Sequence, residues 1–456
     1  MDDAMSRMLR GAAVVAHRTA TWSAGLMAAA IFATAASAGD ADLCKDFRAP
    51  PEAAIAACDR AIAAGKLRGR ALADIYARRG RGFERKDAHD RALEDFNQAI
   101  RLAPDWAELH ADRANAYLGK RDIDRAIANF DQAIRLDPKL ARAYVGRSTA
   151  WGAKGDNDRS LADADAALRL DPREAVARNN RAAALMSRGE LDRAIAELDQ
   201  AIKLSPQVAI FYFGRANVRR DKGEAAHALA DYDQAIRLDP HLANAFSNRG
   251  DVYRKQGHLD RAIADFDQAL REAPGLAAAF TRRGHVFVRK GDNDRAIADY
   301  DAAVRLDPGD ADAYNGRANA HTNKGDYARA IADYDHAIEL NPKMTGLYVN
   351  RAVAYANKGE HDRAIADFGA ALKVNADDIL ALTLRGVAYG EKGDHARAVA
   401  DYDRAIGLDG RNPFTLYRRG TAKLKTGDTA GGEADIARAK AMKADVAEEF
   451  VRRGMR

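Results

Sequence analysis

The stretch Ala243–Leu276, ANAFSNRGDVYRKQGHLDRAIADFDQALREAPGL, decides how this chain is read. Phe246, Gly250 and Tyr253 keep i, i+4, i+7 spacing, which places them on one face of a first helix. Gly257 ends that helix, because glycine accepts the left-handed conformation after a last turn. Asp260 stands where it can cap a second helix and favour its positive N-terminal end. Ala262, Ile263, Phe266, Ala269 and Leu270 form a second apolar stripe, and Pro274 stops it. The small Gly250 and Ala269 let the two helices approach closely, while Tyr253 and Phe266 fill the space between them.

The same unit recurs outward in both directions. Pro104, Pro138, Pro172, Pro206, Pro240, Pro274, Pro308 and Pro342 lie 34 residues apart without a slip, and two later units carry Ala376 and Gly410 instead. On the same grid arginine recurs eleven times from Arg79 to Arg419, alanine eleven times from Ala99 to Ala439, and glycine nine times from Gly155 to Gly427. A unit of this size cannot bury its own apolar face, so neighbours must stack to make one continuous core. The three-domain expectation from a length of 456 residues therefore gives way to one extended array.

Small-residue, aromatic, Gly, Ala, aromatic, Ala and Pro positions occur in the order that marks the tetratricopeptide repeat family, which the chain closely resembles over residues 73–446, or eleven units. The resemblance implies an all-α fold, a right-handed superhelical solenoid of antiparallel helix pairs. It also implies that the first helix of each pair lines a concave groove, where family members usually bind peptides or other proteins.

The ends differ from the grid. Residues 1–38 have the layout of a secretory signal: Arg7, Arg10 and Arg18 lead, no charge occurs from Thr19 to Gly39, and Ala36-Ser37-Ala38 supplies the small-x-small pattern for cleavage after Ala38. An uncleaved N-terminal membrane anchor is the alternative. Residues 39–72 read as an N-terminal capping helix pair. Its Cys44 and Cys58 are the chain's two cysteines, a disulfide candidate in an oxidising compartment, with two buried thiols as the other reading. A zinc site would lack two ligands. Residues 447–456 suit a polar C-terminal capping helix.

Arg79 and its ten equivalents share their units with acids at Asp265, Asp267 and their equivalents, which suits a structural ladder of ion pairs better than a polybasic stripe. Departures from the grid carry more about binding. Groove positions taken over from the family fall at Ile210, Phe213, Asn217, Arg220 and Asp221, then Asn244, Ser247, Asn248, Asp251, Arg254 and Lys255, then Thr281, Arg282, His285 and Arg289. Some family members grip a terminal carboxylate with Lys, Asn, Asn, Lys, Arg across three units. Asn217, Asn248 and Arg282 match that set, whereas Phe213 and Ala278 replace both lysines. Farther on, Asn315, Asn319, Asn323, Asn350 and Asn357 line a polar, nearly uncharged stretch whose amides can pair with a peptide backbone, or simply tolerate solvent.

A formal net charge of +5, falling to +4 without residues 1–38, gives no concentrated basic face for nucleic acid. His89, His361 and His395 share one inter-helix position without carboxylate geometry, and His321 replaces a packed aromatic. No nucleophile elbow, phosphate loop, dinucleotide fingerprint or HExxH sequence occurs. These readings give an exported, non-enzymatic protein–protein interaction scaffold, periplasmic or secreted, without cofactor or metal. Its partner is a protein or peptide, with an acidic or C-terminal segment as the specific candidate. A cytosolic co-chaperone-type adaptor, or an accessory subunit of an envelope enzyme or secretion complex, are the alternatives.

Overall fold

The structure, a computed structural model, describes residues 40–46 and 48–452. The expected signal at 1–38 and residues 453–456 of the expected end helix lie outside them. Among the described residues there are twenty-five helices and no strand. Two compact units divide between Val252 and Tyr253, inside the helix Ala243–Lys255. In the first, the short pair Asp40–Lys45 and Pro51–Ala63 precedes five full pairs, from Gly69–Glu84 with His89–Leu102 to Ala209–Asp221 with Ala225–Leu238. The second holds Leu259–Glu272, then five pairs from Ala277–Arg289 with Asn293–Leu306 to Pro413–Thr426 with Thr429–Met442, and ends in Val446–Arg452.

Within a pair, glycine and alanine make room for one large ring. A Cβ on Gly284 would stand 2.8 Å from the Tyr300 ring, and one on Gly386 would stand 2.7 Å from Tyr402. The rings of Phe96, Phe130, Tyr232, Phe266, Tyr300, Tyr334 and Phe368 are buried in this way. The turn between the helices of a pair needs a left-handed residue, and Gly155, Gly223 and their equivalents supply it at φ near +80° (85° at both). The two earliest full pairs lack that glycine, and Asp87 and Arg121 take φ 56° and 62° there at a steric cost.

Asp260 does not cap its helix. The helix begins at Leu259 behind His258, so Asp260 lies in the first turn, and its carboxylate receives the Lys290 ammonium at 2.5 Å. Capping falls to the His258 position, where Asp122, Asp156, Asp292, Asp326, Asp394 and Asp428 accept the backbone N–H three residues on.

The arginine grid locks each pair to its predecessor. Arg147 donates through Nη1 to Asp131 of the preceding pair at 2.6 Å, and through Nε and Nη2 to Asp163 of its own pair at 2.8 and 2.7 Å. Arg215, Arg283, Arg317, Arg351 and Arg419 repeat the clasp. The hydrogen bonds that Arg317 donates to Asp333 raise its guanidinium further above its ordinary value. Two places break the ladder. Arg113 meets the neutral Asn97 and Asn129, so burial pushes it down, and Arg385 finds Gly369 where the preceding acid would be. In the N-terminal pair a disulfide joins Cys44 to Cys58, with Cα atoms 4.9 Å apart, beside Ala57, Ala61 and Ile75.

Candidate inner-layer binding surface

Within each unit, most neighbouring first helices touch one another, as Ala107–Gly119 does Ala141–Lys154 and Ala311–Asn323 does Thr345–Asn357. Second helices make no comparable contact with one another among the described residues. First helices thus form the inner layer and second helices the outer. Counted from Ala107 and its equivalents 34 residues apart, the second, sixth and ninth positions make many of the inner contacts, among them Arg81, Asp112, Arg142, Thr149 and Asn180.

In the first unit these contacts are largely closed upon themselves. Buried Asp112 receives Arg81 at 2.6 Å and Arg142 at 3.2 Å. Thr149 Oγ1 accepts from Asn180 Nδ2 at 2.9 Å. Phe213 is buried, its ring 6.1 Å from that of Tyr232. Asn217 is buried too, and its Oδ1 accepts both the Tyr232 hydroxyl at 2.6 Å and Asn248 Nδ2 at 2.8 Å. Arg220 pairs with Asp221 at 2.7 Å, and Asp251 is buried. The carboxylate-gripping residues nominated in this unit, Asn217 and Asn248, therefore bond to each other. The sequence signal for this was a tyrosine, rather than phenylalanine, in the same repeat as a ninth-position asparagine.

The second unit is more open. Arg289 is exposed and gives Nη1 to the Arg254 carbonyl at 2.7 Å, beside Lys255 on the same helix as Arg254. His285 lies 3.8 Å from the Asp312 carboxylate, with its ring 5.6 Å from that of Tyr300, and Arg282 is half-buried one turn away. Asn315 accepts from Asn350 at 3.1 Å, and Asn319 accepts the Tyr334 hydroxyl at 2.6 Å. Among the described residues the buried Tyr300 hydroxyl has no hydrogen-bond partner, because His285 replaces asparagine and Gly316 offers no side chain above it. Burial pushes that phenol up. His321 is buried as a packed residue, and burial pushes its imidazole down.

One inner-layer group escaped the sequence reading. Val353 and Leu384 occupy the ninth and sixth positions that are Asn319 and Asn350 one repeat earlier, and Leu380 beside them is 58% exposed. Aliphatic residues on a helix read as core; their position in the repeat is what marks them as inner-face residues. Among the described residues, no three or more His, Cys, Asp or Glu side chains gather into a metal-binding group, and no helix is long and apolar enough to cross a membrane.

Paired helices with a constant outer framework and a variable inner layer define a helical-repeat scaffold of the protein-interaction class. Tetratricopeptide repeat models match residues 107–140, 152–209, 216–257, 243–276, 281–345 and 349–413. The chain belongs to the tetratricopeptide repeat family. Similar solved structures include YrrB, described as a tetratricopeptide repeat protein with an unusual peptide-binding site, at 28% identity over 41% of this chain and 95% of that one, TM-score 0.36. The Cut9–Hcn1 hetero-tetramer of the APC/C is similar at 16% identity over 82% and 93%, TM-score 0.49. A repeat protein from Parabacteroides merdae is similar at 20% identity over 63% and 98%, TM-score 0.38. No curated protein matches by sequence.

Proposed function

We propose that this chain is an exported, non-enzymatic scaffold that holds a protein segment on its inner helical layer. The carrying observation is the contrast between the layers. The outer framework repeats the same clasp of arginine and aspartate, whereas the inner positions change from repeat to repeat, from Asp112 to Asn248, Arg282, Asn350 and Leu384. A surface that varies over a repeated frame is suited to reading a partner. Export is supported by the signal layout of residues 1–38 and by the Cys44–Cys58 disulfide, a bond that persists in oxidising compartments.

Photocrosslinking amino acids placed in cells at Arg289, Asn350 and Leu384 should capture a partner, while the same probe at the outer residues Arg271 and Arg305 should not. Capture confined to the outer residues would overturn the inner-layer reading. Mature protein retaining Met1 would overturn export by cleavage.

A further inference from the structure

The inner layer of the second unit changes character along its length. Its first part carries Arg254, Lys255, Arg282 and Arg289, with the carboxylates Asp310 and Asp312 nearby against Thr281 and His285, and Arg289 is the exposed cation, its Nη1 on the Arg254 carbonyl. Asn315, Asn319 and Asn350 follow, bonded to one another or to Tyr334. Then the polar pair of ninth and sixth positions becomes Val353 and Leu384, which pack against the cluster around Phe368, with Leu380 58% exposed at the second position. Thr383 and Gly346 add no charge there. A cationic end, a self-satisfied amide middle and an aliphatic end thus share one compact unit.

We propose that this face takes an extended protein segment with two anchors, acidic side chains over Arg289 and an aliphatic side chain over Leu380 and Leu384. Charge complementarity commits the first anchor. A leucine nearly sixty per cent exposed beside the aliphatic Val353 and Leu384, where the preceding repeat has Asn319 and Asn350, commits the second. The middle asparagines already have side-chain partners, so they act as a spacer and contribute little specificity. The anchors are three repeats apart. At about 10 Å between adjacent packed first helices the step across is about 30 Å, and Arg289 stands about 10–16 Å farther along its helix than Leu384 and Leu380 do along theirs, so the gap is about 33 Å, which an extended chain at about 3.3 Å per residue crosses in about nine or ten residues. This inference rests on the inner-layer reading above and adds the chemistry and spacing of the partner.

The test uses the purified full chain and fluorescein-labelled peptides read by anisotropy. The probe carries Glu-Glu and Leu-Leu separated by about eight Gly/Ser residues, made in both chain directions. Controls carry a two-residue spacer, the acidic pair alone or the leucine pair alone. The long-spacer probe in one direction should bind about tenfold more tightly than every control. Leu380→Ser, and Leu380→Ser with Leu384→Ser, should erase that advantage and leave affinity for the acidic-only peptide unchanged. Arg289→Ser should weaken both acidic peptides. Leu380→Ser changes a largely exposed side chain, so it keeps the test open if the double variant fails to fold. Equal affinity for long and short spacers, no effect of Leu380→Ser, or no binding of any probe would each overturn the two-anchor proposal. If crosslinks from Arg289 and Asn350 are still captured in cells, the inner-layer reading stands without it; if capture moves to the outer residues, both fall.

Discussion

Removing the Cys44–Cys58 disulfide should loosen the N-terminal cap and nothing beyond its neighbours. The helix Asp40–Lys45 has only six residues, far below the length of roughly 12–15 residues at which isolated helices become marginal in water. It is held by burial of Cys44 against Cys58, Ala57 and Ile75, and by the covalent link. The link spans fourteen residues, a loop whose closure constrains the unfolded cap by about 3 kcal/mol. At about 1.4 kcal/mol per tenfold, the cap should open about 100-fold more often without it. Stability in a repeat array is set by each unit and its nearest neighbours, so the effect should fade along the chain. Hydrogen exchange followed by mass spectrometry, comparing the native chain with Cys44→Ala plus Cys58→Ala, reads this directly. Amides of Pro51–Ala63 should exchange about 100-fold faster, while those of Ala209–Asp221 keep their rate. Unchanged exchange in Pro51–Ala63, or equal acceleration in both helices, would refute the reasoning.

Three buried tyrosines make a matched set: Tyr232→Phe and Tyr334→Phe each remove a hydroxyl bonded to asparagine and should destabilise by about 1 kcal/mol in urea titrations, whereas Tyr300→Phe removes a hydroxyl without a partner and should be neutral or stabilising. Gly284→Ala would drive a methyl group to 2.8 Å from the Tyr300 ring and should lower stability by about 1–3 kcal/mol by the same measurement. The backbone N–H of Arg295 and the Arg295 side chain hold the Asp292 carboxyl below the usual carboxylate range. Its contribution should be present in full above about pH 4 and be lost as pH falls through the depressed value, so Asp292→Asn should flatten the acid limb of a stability-against-pH curve. Burial holds the His321 imidazole below its usual value, so its contribution is present above about pH 6.5 and lost as pH falls through the lowered value; His321→Phe should remove that slope.

The helix pairs were legible because each signal is local. Glycine at the turn, alanine and an aromatic on facing stripes, and proline after the second helix act within one repeat. Contacts between repeats were less legible. The acids and arginines were visible as co-repeating, but the bridge of Arg147 from Asp131 to Asp163 depends on how one pair seats on the last. Place in the repeat puts Phe213 and Asn217 at groove positions, but it does not tell how far they are buried: Tyr232 reaches Asn217 from the second helix, and Asn248 bonds to it from the next first helix. Asp260 looked like a cap because it precedes the apolar stripe, yet the helix starts one residue earlier, at Leu259. Leu380 is not legible as an exposed inner-face residue, because hydrophobicity alone does not tell a core leucine from an uncovered one.

The arginine clasp also makes the repeats interchangeable. Outside Arg79, Arg113 and Arg385, each arginine of the grid looks sixteen residues back for one acid and sixteen forward for another, so the clasp refers only to its own pair and the one before it. Excising residues 175–208 would bring Arg215 opposite Asp165, an acid in the same place as the Asp199 it now grips. Inserting a whole copy would leave every clasp equally intact, while any insertion that is not a multiple of 34 residues would unhook one. The array can therefore gain or lose whole repeats without redesigning a joint, and the length of surface offered to a partner is free to change in steps of one helix pair.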